Sequence, residues 1–463
     1  MYTMNINIKN KKIVIIGLSR SGYAAALLAL KHKAMVYVSE NSDNKNLREK
    51  SKILIKKKVA VELGGHTPEF LKGADFIITS PGVKNNSLPI VWAKKNKIKI
   101  YSEIEFASWF CEVPIIAISG SNGKTTVTTM LGKVLKKAGK KVIVCGNIGN
   151  SFSGEYLKFK KADFIVLEVS SFQLEYIKSF KPKISILLNI SQNHLDHHCS
   201  MADYILAKSK IFQNQDDQDL AIFNGNDDVL RRVAKKSKAK NLFFSGNKNL
   251  LQLKSLNMNC YSQKEKLMVN IEKISKFNFI LDDLKIKGSH NIENAMAVSL
   301  AAKALKIDNQ SIAYVLSKFK GLEHRCKKVA DKKGISFIND SKSTTVDATD
   351  KALSVFLDKS VILICGGRDK GSNFSVLKKR IKQKVLCLIA IGDAQEKLIL
   401  AFSGSTDIIV ADSMQQAVKV AYKLAKPGQN VLLSPMCASF DMFDNFEHRG
   451  LVFKKIVKGM IKL

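Results

Sequence analysis

The sequence predicts an α/β protein of three domains, each built on a parallel sheet with helices on its faces. Apolar runs that end in a glycine or polar turn alternate with helix-like segments in three successive blocks. Such alternation is typical of parallel sheets. With 463 residues, of which 46% are hydrophobic, the chain can fill several cores. We predict domains at residues 1–111, 112–321 and 322–463.

The first block opens with a strand, a glycine turn and a helix, in "KKIVIIG", "LSRSG" and "YAAALLALKHK". Further strands are predicted at "AMVYVSE", "ADFIITSPG" and "KIKIYSE". Ser19 stands where the pattern G-x-G-x-x-G has its middle glycine, and Ser39 and Glu40 offer no clear acid for a ribose. A nicotinamide-dinucleotide site is therefore disfavoured. A nucleotide diphosphate held in another way, or no ligand, stays open.

The second block begins with "PIIAISGSNGKTTVTTM", a strand and a helix joined by a glycine-containing turn. Ile118 occupies the position of the first glycine in G-x-x-x-x-G-K-[ST], so the turn is shorter than usual. Backbone N–H groups at a helix N-terminus attract phosphate. Lys124 can reach the phosphates, and the Thr125 hydroxyl can bind Mg²⁺. The alternative is a tight turn with an incidental Lys-Thr pair, but the flanking strand and helix favour a nucleotide site.

Two further loops of this block carry candidate metal ligands. Glu168 ends the apolar run "ADFIVLE", and parallel strands place such an end beside the phosphate loop. A buried glutamate needs an ionic partner or a metal. "NISQNHLDHH" follows another strand, and His194 is the favoured histidine of this group. A zinc site lacks a clear set of four ligands, so a contribution to a magnesium or manganese site is preferred.

The third block repeats the alternation in "GISFIND", "KSVILICGGRDKG", "VLCLIAIGD", "TDIIVAD" and "QNVLLSP". Its loops hold cationic and hydroxyl groups after strands, where α/β domains bind ligands. Arg325 lies at the junction of the second and third blocks and could reach a phosphate. Each loop taken alone could equally be a helix cap.

Composition bounds the remaining possibilities. The net charge is +35, but the basic runs are scattered and carry no interleaved aromatics, so nucleic-acid binding is disfavoured. The eight cysteines form no C-x-x-C pair, which indicates free thiols in a reducing cytoplasm. Neither a membrane span nor a secretory signal is visible in the sequence.

With these motifs in order, the chain resembles the Mur ligases of peptidoglycan synthesis, and most closely their D-glutamate-adding branch. The resemblance spans nearly the whole chain. "GSNGKTTVTT" is shared with folylpolyglutamate synthases, whereas "LEVSSFQLE", "NHLDHH", "GLEHR", "NDSKSTT", "GGRDKG" and "LLSPMCASFDMFDNFEHRG" are more specific. The resemblance implies a Rossmann-like UDP-substrate domain, a P-loop-type ATPase domain and a Rossmann-like amino-acid domain. In the family the second strand of the first domain often ends in an acid, and here we assign that position to Ser39.

The resemblance also implies roles for individual residues. It implies ATP contacts for Gly120, Ser121, Asn122, Gly123, Lys124, Thr125, Thr126, Asn294, Arg325 and Asp340. It implies two Mg²⁺ sites with Thr125, Glu168, His194 and a carbamylated Lys208, and a catalytic set of Lys124, His194 and Lys208. It implies contacts to the UDP-sugar peptide from Ser21, Asn147, Ser170 and Gln173, and contacts near D-glutamate from His324, Thr344, Lys370, Ser439 and Phe446.

The implied reaction joins D-glutamate to UDP-N-acetylmuramoyl-L-alanine through an acyl phosphate, with release of ADP and phosphate. The resemblance implies a monomer that works in the cytoplasm and closes its third domain over the reactants. The alternatives are another amide ligase of this architecture, such as a folylpolyglutamate synthase, a nucleic-acid-stimulated NTPase, or a non-catalytic nucleotide-binding scaffold.

Overall fold

The computed structural model describes residues 6–191, 198, 200–246, 258–271, 275–369 and 371–462. The chain forms two compact units, one of residues 1–284 and 292–318, the other of residues 285–291 and 319–463. The first unit contains two sheets and the second contains one, so each predicted block has its own sheet. In the described residues, no helix combines the length and the apolar character that a bilayer crossing requires.

The first sheet has five parallel strands in the order β3-β2-β1-β4-β5. The strands are β1 (Lys12–Ile16), β2 (Met35–Glu40), β3 (Ala60–Leu63), β4 (Phe76–Thr79) and β5 (Lys99–Ser102). The helices are α1 (Arg20–Lys31), α2 (Lys45–Ile55), α3 (Pro68–Leu71), α4 (Leu88–Lys95) and α5 (Glu103–Ser108). The four predicted strands are confirmed. The additional strand β3 is a half-buried edge strand, which has a weak apolar signal.

The second sheet has nine strands in the order β14-β13-β12-β11-β10-β9-β6-β8-β7. They are β6 (Ile115–Ser119), β7 (Val142–Gly146), β8 (Phe164–Glu168), β9 (Ile184–Leu187), β10 (Leu220–Asn224), β11 (Lys240–Ser245), β12 (Cys260–Gln263), β13 (Lys266–Ile271) and β14 (Ser275–Ile280). The helices are α6 (Lys124–Lys137), α7 (Ser171–Glu175), α8 (Met201–Ser209), α9 (Asp228–Ala234), α10 (Ser289–Ala304) and α11 (Asn309–Lys318). Strands β12 to β14 form an antiparallel edge, while the other pairs are parallel.

The third sheet has six strands in the order β15-β16-β20-β17-β18-β19, parallel except for the β15–β16 pair. They are β15 (Lys327–Lys332), β16 (Ile335–Asn339), β17 (Val361–Gly366), β18 (Val385–Ile391), β19 (Asp407–Val410) and β20 (Asn430–Leu433). The helices are α12 (Val346–Leu353), α13 (Lys378–Lys384), α14 (Gln395–Phe402), α15 (Met414–Leu424) and α16 (Phe446–Lys462). Separate apolar clusters cover its two faces.

One hydrophobic core joins the first two sheets. It runs from Ile8 in the first block to Phe243 in β11 without a break. Aromatic contacts reinforce it, since His32 stacks on Phe110 at 3.9 Å between ring centroids and hydrogen-bonds Tyr156 at 3.0 Å. The first two blocks therefore belong to one compact unit, while the boundary at residue 111 stays a prediction.

Candidate active site

The phosphate loop connects β6 to α6 through two glycines with unusual backbone angles. Gly123 precedes the helix with φ +85°, and a Cβ there would lie 2.4 Å from Asn294 Oδ1. Gly120 has φ +150°, and a Cβ there would lie 3.0 Å from Leu188 Cβ. Only glycine fits both positions without strain. The loop thus lies against the end of β9 and against α10, and the predicted strand–turn–helix is confirmed.

Two amides of this loop already have partners. Ser121 N donates to Asn189 O at 2.9 Å, and Asn122 N donates to Asn189 Oδ1 at 2.8 Å. The Ser121 hydroxyl donates to Ser191 O at 3.0 Å. The loop residues predicted to bind ATP therefore fall into two groups. The backbone amides of Ser121 and Asn122 point toward the end of β9 and are already hydrogen-bonded. Lys124 begins α6, where the backbone amides of the first turn suit an anion.

Two lysines meet at one carbonyl of the loop. Lys124 Nζ donates to Gly120 O at 2.7 Å and to Ser121 O at 2.9 Å, while Lys208 Nζ donates to Gly120 O at 3.0 Å. Lys208 is 2% exposed, and its Nζ lies 4.7 Å from the centre of the Tyr204 ring. Burial, followed by the Lys124 charge, lowers the pKa of Lys208 well below its usual value, against an opposing effect of Glu168. Such an amine is readily neutral, which is the form that reacts with CO₂.

Glu168 lies at the end of β8, next to the phosphate-loop strand, as predicted. Its side chain is 2% exposed. Oε1 accepts a hydrogen bond from Asn147 Nδ2 at 2.9 Å, whereas Oε2 is buried and has no hydrogen-bond donor. An orphaned buried carboxylate oxygen is costly, and a cation would offset that cost.

Three of the four metal ligands predicted from the sequence lie among the described residues. Glu168 and Lys208 lie on β8 and α8, and Thr125 lies in the first turn of α6. His194 lies outside the described residues. Among the described residues, no cluster of three or more His, Cys, Asp or Glu side chains forms a metal site. The orphaned oxygen of Glu168 and the hydroxyl of Thr125 nevertheless fit Mg²⁺, which prefers one or two protein oxygens together with phosphate.

The residues predicted to face the UDP-sugar peptide lie in different local settings. Ser170 and Gln173 form a capping box at the start of α7, with Gln173 N donating to Ser170 Oγ at 3.3 Å and Ser170 N to Gln173 Oε1 at 3.0 Å. Asn147 donates a hydrogen bond from Nδ2 to Glu168 Oε1. Ser21 lies in the first turn of α1. Hydrogen bonds within the chain account for the positions of Ser170, Gln173 and Asn147 without a ligand, so the contacts to the substrate remain predictions.

The assignment of Ser39 to the end of the second strand was wrong. Strand β2 runs one residue further and ends at Glu40, whose Oε2 accepts a hydrogen bond from Leu18 N at 2.7 Å. Ser39 is fully buried and hydrogen-bonds Glu62 and His66. The chain therefore has an acid at this position, beside the glycine turn of the first block.

In the second unit, Asp340 lies just after β16 and is 4% exposed. Its Oδ1 accepts a hydrogen bond from Cys326 N at 3.0 Å, and its Oδ2 accepts one from Ser434 Oγ at 2.9 Å. Burial raises the pKa of this carboxyl from 3.8 to about 6, although these hydrogen bonds and the charge of Arg325 oppose the rise. Asp340 and Arg325, both predicted to contact the nucleotide, therefore interact with each other.

A second group in this unit surrounds the start of α16. The His324 ring lies edge-on to Phe446 at 6.3 Å, and His324 Nδ1 lies 3.2 Å from Asn339 Nδ2. Burial lowers the pKa of His324. Ser439 is 2% exposed, and Thr344 is half-buried. Lys370, predicted with this group, lies outside the described residues.

Arg449 on α16 has a structural role that no sequence motif predicted. Its guanidinium is 1% exposed and donates to Ser341 Oγ, Ser341 O, Cys437 O and Ala438 O at 2.9 to 3.2 Å. Burial lowers its pKa to about 10. Arg449 thereby ties the loop after β16 to the loop after β20.

The predicted ATP-binding residues are divided between the two units. The loop residues 120–126 and Asn294 belong to the first unit, whereas Arg325 and Asp340 belong to the second. The predicted D-glutamate group within the described chain lies wholly in the second unit.

Three family models match the chain in order. They are a Mur ligase MurD-like N-terminal domain over residues 11–102, a Mur ligase middle domain over 118–302, and a Mur ligase glutamate ligase domain over 324–437. The chain is 37% identical to the UDP-N-acetylmuramoylalanine–D-glutamate ligase of Koribacter versatilis, and 39% identical to that of Thermoanaerobacter pseudethanolicus. Each alignment covers 98% of this chain and 99% of the relative.

Solved structures share the fold at lower identity. A pseudomurein peptide ligase type C from Methanothermus fervidus matches with a TM-score of 0.61, 20% identity, and coverage of 97% of this chain and 100% of that one. The MurF ligase of Thermotoga maritima, solved in complex with ADP, matches with a TM-score of 0.58, 15% identity, and coverage of 99% and 98%.

Proposed function

The chain belongs to the Mur ligase family, and on that premise we propose that it joins D-glutamate to UDP-N-acetylmuramoyl-L-alanine at the expense of ATP. The substrates follow from the names of relatives that match over almost their whole length. The products are the amide, ADP and phosphate. We also propose that it acts as a monomer in the cytoplasm; its seven described cysteines are free, which supports a reducing compartment.

The main support for the proposed chemistry is the group of charged side chains around Gly120. Lys124 and Lys208 both donate to its carbonyl oxygen, and the end of β8 brings Glu168, with one oxygen unsatisfied, beside the same loop. A site that transfers a phosphoryl group needs fixed cations for phosphate and a carboxylate for the metal. A nucleotide-binding scaffold without chemistry would not need a buried, unsatisfied carboxylate.

In the proposed reaction, the L-alanine carboxylate attacks the γ-phosphorus of ATP, and the bond to the bridging oxygen of ADP breaks. The amine of D-glutamate then attacks the acyl carbon, loses a proton, and phosphate leaves. Lys124, released from Gly120 O and Ser121 O, neutralises the phosphoryl oxygens, and the first-turn amides of α6 orient them.

We propose that Mg²⁺ is held by Thr125 and Glu168, with His194 and a carbamylated Lys208 at a second site. The cation would neutralise charge between carboxylate and triphosphate. Carbamylation of Lys208 fits its low pKa and burial, because a neutral amine is the nucleophile toward CO₂. In the second unit we propose Arg325 and Asp340 for the nucleotide, and His324, Thr344, Lys370, Ser439 and Phe446 for D-glutamate.

The test is substrate-dependent release of phosphate by the purified protein. We expect release with UDP-N-acetylmuramoyl-L-alanine, ATP and D-glutamate, and none when D-glutamate is replaced by L-glutamate or meso-diaminopimelate. Release that depends instead on a folate and L-glutamate would identify a folylpolyglutamate synthase. Release that needs DNA or RNA would identify a nucleic-acid-stimulated NTPase.

The contribution of the phosphate loop is tested with a matched pair of lysines on α6. Lys124→Ala is expected to lower phosphate release at least 1,000-fold, as is typical when a phosphoryl-stabilising cation is lost. Lys133, exposed on the same helix, provides the control variant Lys133→Ala, which should retain full activity. Full turnover by Lys124→Ala would refute the assignment of this loop.

A further inference from the structure

We propose that Asn189 and Tyr204 are positioning residues that hold the shortened phosphate loop in its nucleotide-ready shape. The proposal rests on nucleotide binding at this loop, which is part of the proposed function. Neither residue is proposed to contact a phosphate. Each acts through Ser121 or Asn122, the two residues that link the glycines of the loop.

Asn189 lies two residues beyond the end of β9 and makes three hydrogen bonds to the loop. Its carbonyl accepts from Ser121 N at 2.9 Å, its Oδ1 accepts from Asn122 N at 2.8 Å, and its Nδ2 donates to Asn122 O at 3.2 Å. The side chain thus pairs with both backbone groups of Asn122, as a neighbouring β-strand would. Asparagine supplies the required donor and acceptor on one short side chain.

Tyr204 secures the same loop from α8. Its hydroxyl lies 3.0 Å from Ser121 Oγ. Ser121 Oγ donates its only proton to Ser191 O and accepts from Ser191 N at 2.9 Å, so the tyrosine hydroxyl must be the donor. Tyr204 is 1% exposed, and it precedes Lys208 by one helical turn, so its ring also supports the lysine amine.

The short loop explains why external support is needed. Gly120 and Gly123 have φ values of +150° and +85°, so neither residue fixes its own conformation. Only Ser121 and Asn122 lie between them, and both are held from outside. Without this support the loop would populate many conformations, and nucleotide binding would have to select the competent one. The cost would appear as weaker binding of ADP and ATP.

The experiment measures ADP binding with Mg²⁺ by calorimetry, together with KM for ATP. Asn189→Leu removes both side-chain hydrogen bonds at similar volume and is expected to weaken ADP binding about 10- to 100-fold. Tyr204→Phe keeps the ring and removes one hydroxyl, so a weakening of about 3- to 10-fold is expected. KM for the UDP substrate and for D-glutamate should change less than twofold.

Two matched controls lose comparable bonds elsewhere in the same unit. Asn214 donates to Lys178 O and Phe180 O near the opposite end of β9, and Tyr156 hydrogen-bonds His32. Asn214→Leu and Tyr156→Phe should leave ADP affinity unchanged. If Asn189→Leu does not fold, the ADP affinity of Tyr204→Phe alone tests the proposal.

Unchanged ADP affinity in the folded variants, with only a lower melting temperature or a lower kcat, would overturn the proposal, because it would indicate a purely structural role. A wild-type chain that binds ADP but adds no D-glutamate would refute the proposed function and leave the support of the loop intact. The two failures are therefore distinguishable.

Discussion

Replacing Asp340 by asparagine is expected to stabilise the second unit at neutral pH while it impairs ligation. Burial raises the pKa of this carboxyl from 3.8 to about 6, so the folded state holds the proton more tightly than the unfolded state. Stability is therefore lost as the pH rises from 3.8 to about 6, and stays lower above that range. Asparagine resembles the neutral acid and avoids this loss.

The magnitude follows from the distance between the two pKa values. At about 1.4 kcal/mol per pH unit, the rise from 3.8 to about 6 costs the fold about 3 kcal/mol at pH 8 and about 1.5 kcal/mol at pH 5. The amide can keep the acceptor for Cys326 N. Its nitrogen can donate to Ser434 Oγ, which is free to turn toward Thr349 at 2.9 Å. The gain should thus approach 3 kcal/mol at pH 8 and fall to about half at pH 5.

Both tryptophans lie in the first unit, so the stability of the second is better followed by amide hydrogen exchange in peptides from β16 and β20. Asp407→Asn, at the exposed start of β19, is the matched control and should change nothing at either pH. A stabilisation of Asp340→Asn that is equal at pH 5 and pH 8, or a loss at pH 8, would refute the reasoning.

Three further substitutions test features of the first unit. Glu105→Gln replaces one of two buried carboxylate oxygens, which accept hydrogen bonds from backbone N–H groups, by an amide donor. The free energy of unfolding, measured by tryptophan fluorescence, should fall by about 3 kcal/mol, and a loss below about 1 kcal/mol would contradict this. Gly123→Ala should abolish ADP binding because its Cβ would lie 2.4 Å from Asn294 Oδ1. The control is Gly139→Ala, which has a similar φ but no atom beyond its chain neighbours within 4 Å of the added Cβ, and which should bind ADP normally in the same titration. Lys208→Met should fold with an unchanged or higher melting temperature but release no phosphate, and substantial turnover would exclude its catalytic role.

Most strands were predictable because they are buried on both faces and therefore appear as apolar runs. Strands β6, β9 and β17 are buried throughout. Strand β15 was missed because its sequence, KKVADK, is polar and only half-buried. An edge strand gains its stability from backbone pairing, which leaves little trace in the side chains.

The candidate site was predictable where its chemistry lies at the ends of such strands. Glu168 ends one apolar strand, Lys124 follows the short loop after the neighbouring one, and the two strands are adjacent and parallel, so both residues lie at one edge of the sheet. Asn189 also follows a strand, but an asparagine there is equally typical of an ordinary turn. Tyr204 hydrogen-bonds Ser121 and Arg449 hydrogen-bonds Ser341, each from a distant part of the chain, so these contacts could be seen only in three dimensions.

The core shared by the first two sheets limits how this protein can be recombined. A chimaera that takes residues 1–111 from another protein would place foreign side chains against Phe152, Phe159 and the rest of the core in the second block. Substitutions on the two sides of that contact should therefore compensate one another, and the first two blocks should be exchanged together.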